Sequence, residues 1–323
     1  MAVTSVRETP TLSVVVPATD RPAALARCVP AIYPQLGPDD ELIVVAEPAA
    51  AGPAAARNAG AARARGEVLV FVDADVVLHP DVLDRIRGTL APGQPLDATF
   101  GSYDDRPEAP GAVSGFRNLL HHHVHHAAEG PAATFWAGLG AIRRDAFDAV
   151  NGFDAARFPS PSVEDIDLGM RLAAAGRRIV LDPTIQGTHL KRWTLAEMTS
   201  TDLARRGVPW VELALAPGAP RNVLNLGWRH RLSSVAVLLT GTCLAARRPR
   251  HAAAAALIFV VLNRSLYALV LQRRGPFEAA AAVPLHALHH VTAAAAVPIG
   301  VIARLRRGRS AAVARNLGSR RSR

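Results

Sequence analysis

Glu67-Val-Leu-Val-Phe-Val72 runs without a break into Asp73-Ala-Asp75, and His79-Pro80-Asp81 opens a helical pattern soon after. A short, β-branched apolar run of this kind reads as a strand buried on both faces, inside a sheet covered by helices. Val82, Leu83 and Ile86 then fall on one face of the helix that follows. The two aspartates therefore stand at the carboxyl end of a buried strand, where open α/β sheets bind ligands. Spaced i, i+2 on extended backbone, their side chains share a face. Paired hard oxygen donors suit Mg2+ or Mn2+, whose shells are usually completed by phosphate oxygens and water. Taken alone, a D-x-D triplet is as readily a loop that caps the next helix, so the rest of the chain must decide.

The first hundred residues alternate between the two periodicities. Strands are predicted at Leu12–Val16, Glu41–Val45 and Val68–Val72, with helices over Pro22–Val29 and Ala54–Ala64 between them. That alternation predicts an α/β fold with a mostly parallel central sheet flanked by helices. Further on, strands are expected at Leu96–Gly101, Thr134–Ile142, Ile179–Leu181 and Gly187–His189, and helices at Val113–Ala128, Ser162–Ala175 and Leu195–Arg206. Pro217–Gly227 reads as a linker, which divides the chain into an α/β domain, 1–220, and a helical region, 221–323.

Charge separates the same two parts. Residues 1–220 hold 26 acids against 20 bases, whereas 221–323 hold one acid, Glu278, against 17 arginines. Those arginines flank long apolar segments, Leu232–Ala246, Ala252–Leu271 and Phe277–Ala303. This arrangement favours a membrane over a nucleic acid as the partner of the basic part. A spanning helix needs about 20 apolar residues, which only the last segment supplies cleanly. Two or three membrane-embedded or interfacial helices are expected, with a soluble Ala-rich helical subdomain as the alternative. Met1–Pro10 lacks the apolar core of a secretory signal, and arginines follow the apolar segments. Both features predict a cell-membrane protein whose first domain is cytoplasmic. Cys28 and Cys243 provide no disulfide framework.

Several motifs now fall in order. Leu12-Ser-Val-Val-Val-Pro17, Ala56-Arg-Asn-Ala-Gly60, and Gly66-Glu67 leading to Asp73-Ala-Asp75 resemble the nucleotide-sugar half of family 2 glycosyltransferases of the GT-A fold. Trp136-Ala-Gly138, Ala141-Ile-Arg-Arg144 and Val150-Asn-Gly-Phe-Asp154 resemble the acceptor side of that family. Glu164-Asp165-Ile-Asp167-Leu168 matches its "ED" motif, and Thr188-His189-Leu190 the histidine that ends its catalytic domain. The resemblance covers about residues 11–210. It implies a Rossmann-like GT-A domain that transfers a sugar, with inversion, from a UDP- or GDP-linked donor to a hydroxyl acceptor. With an apolar carboxyl-terminal region, the expected acceptor is a lipid or lipid-linked glycan, as in cell-envelope glycan or glycolipid synthesis.

The resemblance also distributes roles. Asp75 is the expected metal ligand, with His189 as a second one, for which neutral imidazole suits Mn2+ better than Mg2+. Asp73 and Ala74 are expected on the nucleotide, together with Pro17, Thr19, Arg21, Glu47, Arg57 and Asn58. Asp165 is the candidate general base, and its place at a helix start favours the ionised carboxylate. Trp136, Gly138, Glu164, Arg192 and Trp193 are assigned to the acceptor side. Lys191, the only lysine in the chain, or Arg192 could meet a phosphate, with solvated surface charge as the equal alternative. One departure stands out: Val45-Ala46-Glu47-Pro48 replaces the Asp-Asp-Gly-Ser stretch that usually contacts the base, so uridine and guanosine both stay open.

His121-His-His-Val-His-His126 places i, i+4 imidazole pairs on a helix, a metal-binding spacing. No acidic or thiolate partner is near in sequence, so a face lining the acceptor cleft or meeting lipid headgroups is the preferred reading. Two rivals to the transferase remain open: a nucleotidyltransferase, and a catalytically degenerate sugar-nucleotide-binding membrane scaffold. The absence of a Gly-rich phosphate loop with a following lysine weighs against the first, and the intact Asp75 and Asp165 against the second.

Overall fold

The computed structural model describes residues 9–20, 22–216, 218–219 and 227–321, with side chains up to residue 306. Arg21 and most of the expected linker, Pro217–Gly227, lie outside the described residues. The chain packs as two compact units. One runs through Trp193 and takes back Ser265–Ala282; the other holds the described residues of 194–264 and those from Val283 onward.

The first unit is built on an eight-stranded sheet in the order β2-β1-β3-β7-β5-β8-β4, with β6 paired to β8. The strands are β1 Leu12–Pro17, β2 Glu41–Val45, β3 Val68–Val72, β4 Val76–Leu78, β5 Ala98–Tyr103, β6 Gly130–Ala132, β7 Leu139–Arg143 and β8 Ile179–His189. β1, β2, β3, β5 and β8 share one direction, and β4, β6 and β7 run against them. The helices are α1 Leu25–Ile32, α2 Pro53–Arg63, α3 Val82–Thr89, α4 Ala112–His126, α5 Arg144–Ala149 and α6 Glu164–Ala174.

Period-two alternation sends successive side chains of the central strands into opposite layers. Val68, Val70 and Val72 of β3 pack with Val82, Leu83 and Ile86 of α3, and with Cys28 and Ile32 of α1. Leu69 and Phe71 pack with Ala54, Ala56 and Ala61 of α2, Phe147 of α5, and Leu168 and Leu172 of α6. Both faces of β3 are thus fully covered, as its unbroken apolar run requires. Gly60 lets α2 approach closely, since a Cβ there would come within 2.3 Å of Val15.

The structure departs from the expected elements in several places, among them the following. β4 follows Asp75 directly. The two short strands expected near 180 and 188 are one strand, β8, whose pairing with β5 shifts register between Phe100 and Ser102. The strand expected from Thr134 starts only at Leu139.

Outside this core come α7 Leu195–Ser200, a π-helical stretch Thr201–Gly207, α8 Val208–Ala214, α9 Trp228–Ala245, α10 Pro249–Leu262, α11 Arg264–Arg274 and α12 Pro276–Arg321. Most of α11 belongs to the first unit: Leu266, Tyr267 and Val270 are buried, Arg273 pairs with Asp105, and Arg274 reaches the Pro107 carbonyl. α9, α10 and α12 expose many large apolar side chains, among them Leu238, Leu239, Leu257, Ile258, Val261, Ile299 and Ile302. Among the described residues one helical stretch, Pro276–Arg306, is long and apolar enough to cross a membrane. Pro249–Leu262 with Arg264–Arg274 would count only as a broken span.

Candidate active site

The aspartate pair occupies a tight turn between β3 and β4. The Asp73 N–H donates to the Gly138 carbonyl at 3.0 Å, and the Val76 N–H to the Asp73 carbonyl at 3.0 Å. Ala74 is buried at the centre of the turn. β4 then pairs antiparallel with the end of β8, setting Val76 opposite His189. The Leu190 N–H donates to the Asp75 carbonyl at 2.9 Å. This pairing carries His189 to Asp75, with Nε2 3.4 Å from Oδ2.

His189 is held from two other sides. Its Nδ1 lies 2.7 Å from Oδ1 of Asn118 on α4, and the Tyr103 ring stacks on it at 4.2 Å and 7°. With Asn118 Oδ1 as acceptor, Nδ1 carries the proton and Nε2 is turned to Asp75. Protonated, Nε2 donates to the carboxylate; deprotonated, it offers a lone pair beside it. Burial alone would raise the Asp75 carboxyl, but the His189 hydrogen bond and charge, with Lys191, bring it below the usual range. One oxygen and one imidazole nitrogen at this spacing fit two adjacent ligands of Mn2+ or Mg2+. Among the described residues no three His, Cys, Asp or Glu side chains are grouped to hold an ion. Oxygens of a bound phosphate and water would have to complete the shell.

Asp73 is committed elsewhere. Arg57, on α2, donates to Asp73 Oδ1 at 2.7 Å and to Glu164 Oε1 at 3.0 Å. Glu164 accepts the Ser162 N–H on its other oxygen, at 2.8 Å. Arg57 and Glu164 are almost fully buried, while the Asp73 side chain keeps 32% exposure. Burial opposes the Arg57 charge, but Asp73, Glu164 and Asp165 more than offset it and the guanidinium stays ionised. Burial also pushes the Asp73 carboxyl up, with Asp75 acting in the same sense and Arg57 against it. One arginine thus ties the end of β3 to the start of α6.

Asp165, half-buried in the first turn of α6, accepts the Ala137 N–H at 3.3 Å and so lies against Trp136-Ala-Gly138. Gly138 is the only residue type that fits there: a Cβ would stand 2.5 Å from the Trp136 indole. Trp136 meets the Tyr103 ring edge-on at 4.9 Å and His121 at 4.5 Å.

The structure brings Arg57, Asp73, Asp75, Glu164, Asp165, Trp136, Gly138 and His189 into one network, and gives some of them roles the sequence did not show. Glu164, expected on the acceptor side, is a buried support for Arg57. Asn58, expected on the nucleotide, spends both ends of its amide on the Phe153 backbone, at 2.8 and 3.0 Å. Pro17 ends β1 opposite Val45, and Thr19 holds the neighbouring loop through the Ala51 carbonyl. Glu47 is exposed and accepts the Ala49 N–H at 2.9 Å. Arg192 is exposed, whereas Trp193 is buried and donates its backbone N–H to Ser114 Oγ at 2.9 Å. The sequence does not single out Asn118, Tyr103 or Ser114; the one available signal is the polar pair Arg117-Asn118 set between Phe116 and Leu119 in the buried part of α4.

The histidine run has a structural use. His122 and His125 place Nδ1 2.9 and 2.8 Å from the Tyr103 and Gly101 carbonyls, fastening α4 across the irregular part of β5. Burial, then His122, lowers His126 to about 4, so it is neutral at physiological pH.

Residues 45–150 match the family profile described as Glycosyl transferase family 2. No curated protein matches the chain by sequence. Among solved structures, the chain is similar to the mannosyltransferase PcManGT from Pyrobaculum calidifontis in complex with GDP-Man and Mn2+. Identity is 17%, coverage 92% of this chain and 87% of that one, and the TM-score 0.50. GalNAc-T7 with UDP, GalNAc and Mn2+ is 13% identical over 71% of this chain and 51% of that one, with a TM-score of 0.45. Residues 45–150 thus match family 2 glycosyltransferases, the α/β unit has a fold like that of GT-A glycosyltransferases, and an apolar helix that is a candidate membrane span follows.

Proposed function

We propose that this protein is an inverting, membrane-associated glycosyltransferase that moves a sugar from a UDP- or GDP-linked donor to a hydroxyl of a lipid or lipid-linked glycan. The observation that carries the reading is the site itself: Asp75 and His189 paired at the end of β3, Asp73 locked to Arg57 beside them, and Asp165 half-buried against Trp136-Ala-Gly138. The family match over 45–150 and a GT-A relative that holds GDP-Man and Mn2+ support the donor class. The exposed apolar surface of α9, α10 and α12, with arginines at their ends, supports the membrane and hence a lipidic acceptor. The arginines that follow the apolar segments support a cytoplasmic α/β unit.

A divalent ion held by Asp75 and His189 would supply Lewis acidity to the diphosphate oxygens. Asp73, fixed in direction by Arg57, faces the nucleotide. Asp165 takes the proton of the acceptor hydroxyl as its oxygen attacks the anomeric carbon. The bond from that carbon to the diphosphate oxygen breaks, and its electron pair leaves with the nucleoside diphosphate. Attack opposite the leaving group inverts the configuration.

The test uses the full chain solubilised in detergent, with Mn2+ and a panel of UDP- and GDP-sugars. Release of nucleoside diphosphate, with labelled sugar passing to an organic-extractable product, is expected. Release of inorganic pyrophosphate instead would assign a nucleotidyltransferase, and transfer only to water-soluble acceptors would remove the lipid acceptor.

A further inference from the structure

Lys191 is the only lysine among 37 basic residues. A chain that uses arginine everywhere else keeps, at this one position, a compact, rotatable point charge on a flexible stem instead of a planar fork. The position is close to the aspartate turn. β8 ends at His189, and the Leu190 N–H is bonded to the Asp75 carbonyl at 2.9 Å, so Lys191 leaves the sheet one residue later. Its charge is near enough to help lower the Asp75 carboxyl.

Lys191 is held without being neutralised. Its Nζ lies 4.2 Å from the centroid of the Trp193 ring, and among the described residues no carboxylate stands within ion-pairing distance. Trp193 is a fixed platform: it is buried, its backbone N–H is on Ser114 Oγ, and the Arg117 guanidinium packs over its ring at 5.3 Å. The Trp193 Nε1–H is itself buried with no hydrogen-bond acceptor, a state that folded proteins rarely keep at an idle position. Arg192, by contrast, is exposed. An ammonium resting on an aromatic face can move to an arriving anion without first breaking an ion pair.

We infer that Lys191, on its Trp193 platform, is the residue of this chain that meets a phosphate oxygen of the donor's diphosphate and neutralises it as it departs. The inference rests on the transferase reading and deepens it. When the bond from the anomeric carbon breaks, its electron pair and the added negative charge go to the diphosphate oxygen. Lys191 transfers no proton in this step and acts by charge and hydrogen bonding. A phosphate oxygen could also come from a lipid phosphate on the acceptor side, and the experiment separates the two sources.

Reductive methylation of the full chain in detergent with 13C-formaldehyde keeps the lysine charge and gives one ε-dimethyl NMR signal besides that of the α-amine. UDP, GDP and ADP, each with Mg2+, the corresponding nucleosides, inorganic pyrophosphate and decyl phosphate are titrated in turn. Equilibrium dialysis measures nucleotide binding independently. The expected result is that one nucleoside diphosphate, and pyrophosphate, move the Lys191 signal, with the nucleotide saturating at the concentration found by dialysis. The nucleoside alone leaves it in place. Lys191→Met should then weaken nucleoside diphosphate binding about tenfold to a hundredfold, leave nucleoside binding unchanged, and be partly rescued by Lys191→Arg. A nucleotide that binds by dialysis without moving the signal overturns the inference and leaves the transferase reading standing. Movement with decyl phosphate alone overturns the donor assignment. No binding of any nucleoside diphosphate overturns the transferase reading and this inference with it.

Discussion

In the first unit a set of buried unlike charges gathers around the aspartate turn; in the second the buried ionisable groups are mostly imidazoles, two of them hydrogen-bonded to each other. In the second unit, Ser234 Oγ donates to the His230 carbonyl at 3.2 Å and lies 2.9 Å from His290 Nδ1. His290 Nε2 lies 3.2 Å from His286 Nε2. With the Ser234 proton spent on the carbonyl, His290 Nδ1–H donates to Ser234, and His290 Nε2 accepts from His286. His289 Nδ1 lies 2.8 Å from Asp202. Each of these groups is satisfied from within. The first unit, by contrast, leaves Arg57 Nε, Asn118 Nδ2 and Trp193 Nε1 buried without a partner, and among the described residues every such atom lies in that unit. A closed polar network specifies packing, whereas unspent donors beside a carboxylate turn leave room for a further partner, a water or a ligand.

The comparison breaks most sharply at Asp165. Asp165→Asn keeps an acceptor for the Ala137 N–H but cannot take a proton, so sugar transfer should fall about 10²–10⁴-fold. Nucleotide binding and thermal melting should hold. An Asp165→Asn protein of full activity would show that the carboxylate is there only to start α6. Arg57→Met comes next. It strands the buried Glu164 carboxylate and removes the partner of Asp73, and breaking a buried pair from one side costs about 3–5 kcal/mol. Chemical denaturation should show that loss, and adding Glu164→Gln should recover part of it.

How far the sequence already showed this follows from which interactions are local. β1, β2 and β3 are short, largely apolar runs and are visible as such, and Asp75 is legible because it closely follows one of them. β8 looks like two pieces in the sequence because Asp182-Pro183-Thr184 interrupts the apolar pattern, although its buried and exposed side chains alternate through that stretch. The pairing of β4 with β8, which delivers His189, joins residues more than a hundred positions apart and leaves no periodicity in either segment. Asn58 was visible as a motif residue, but its bonds to Phe153 span 95 positions and could not be read. Asn118 was hidden in the same helix by the histidine run that drew attention to itself.

Asn118 therefore sharpens the comparison on the side of the first unit. Asn118→Leu removes the acceptor that fixes His189 and frees the ring to turn Nε2 away from Asp75. Loss of such an outer partner typically lowers metal affinity about 10–100-fold. The free-ion EPR signal of Mn2+, followed with the nucleoside diphosphate present, measures it, and an unchanged affinity would remove His189 from the metal.

The smallest effect is expected where the network is closed. His290→Phe preserves a flat ring but leaves the Ser234 hydroxyl and the His286 nitrogen without the partner they share. If those bonds serve packing alone, the cost is about 1–3 kcal/mol of stability, read as a lower melting temperature. If the donor site lies wholly in the first unit, Mn2+ affinity and any hydrolysis of donor by water should match the parent protein. Ser234→Ala, which removes the other end of the same chain, should cost no more, and combining the two should add little, because both delete one network. Additive losses would show that Ser234 and His290 act separately. A His290→Phe protein of normal melting but altered donor hydrolysis would place the imidazoles in the reaction and end the distinction between the two units.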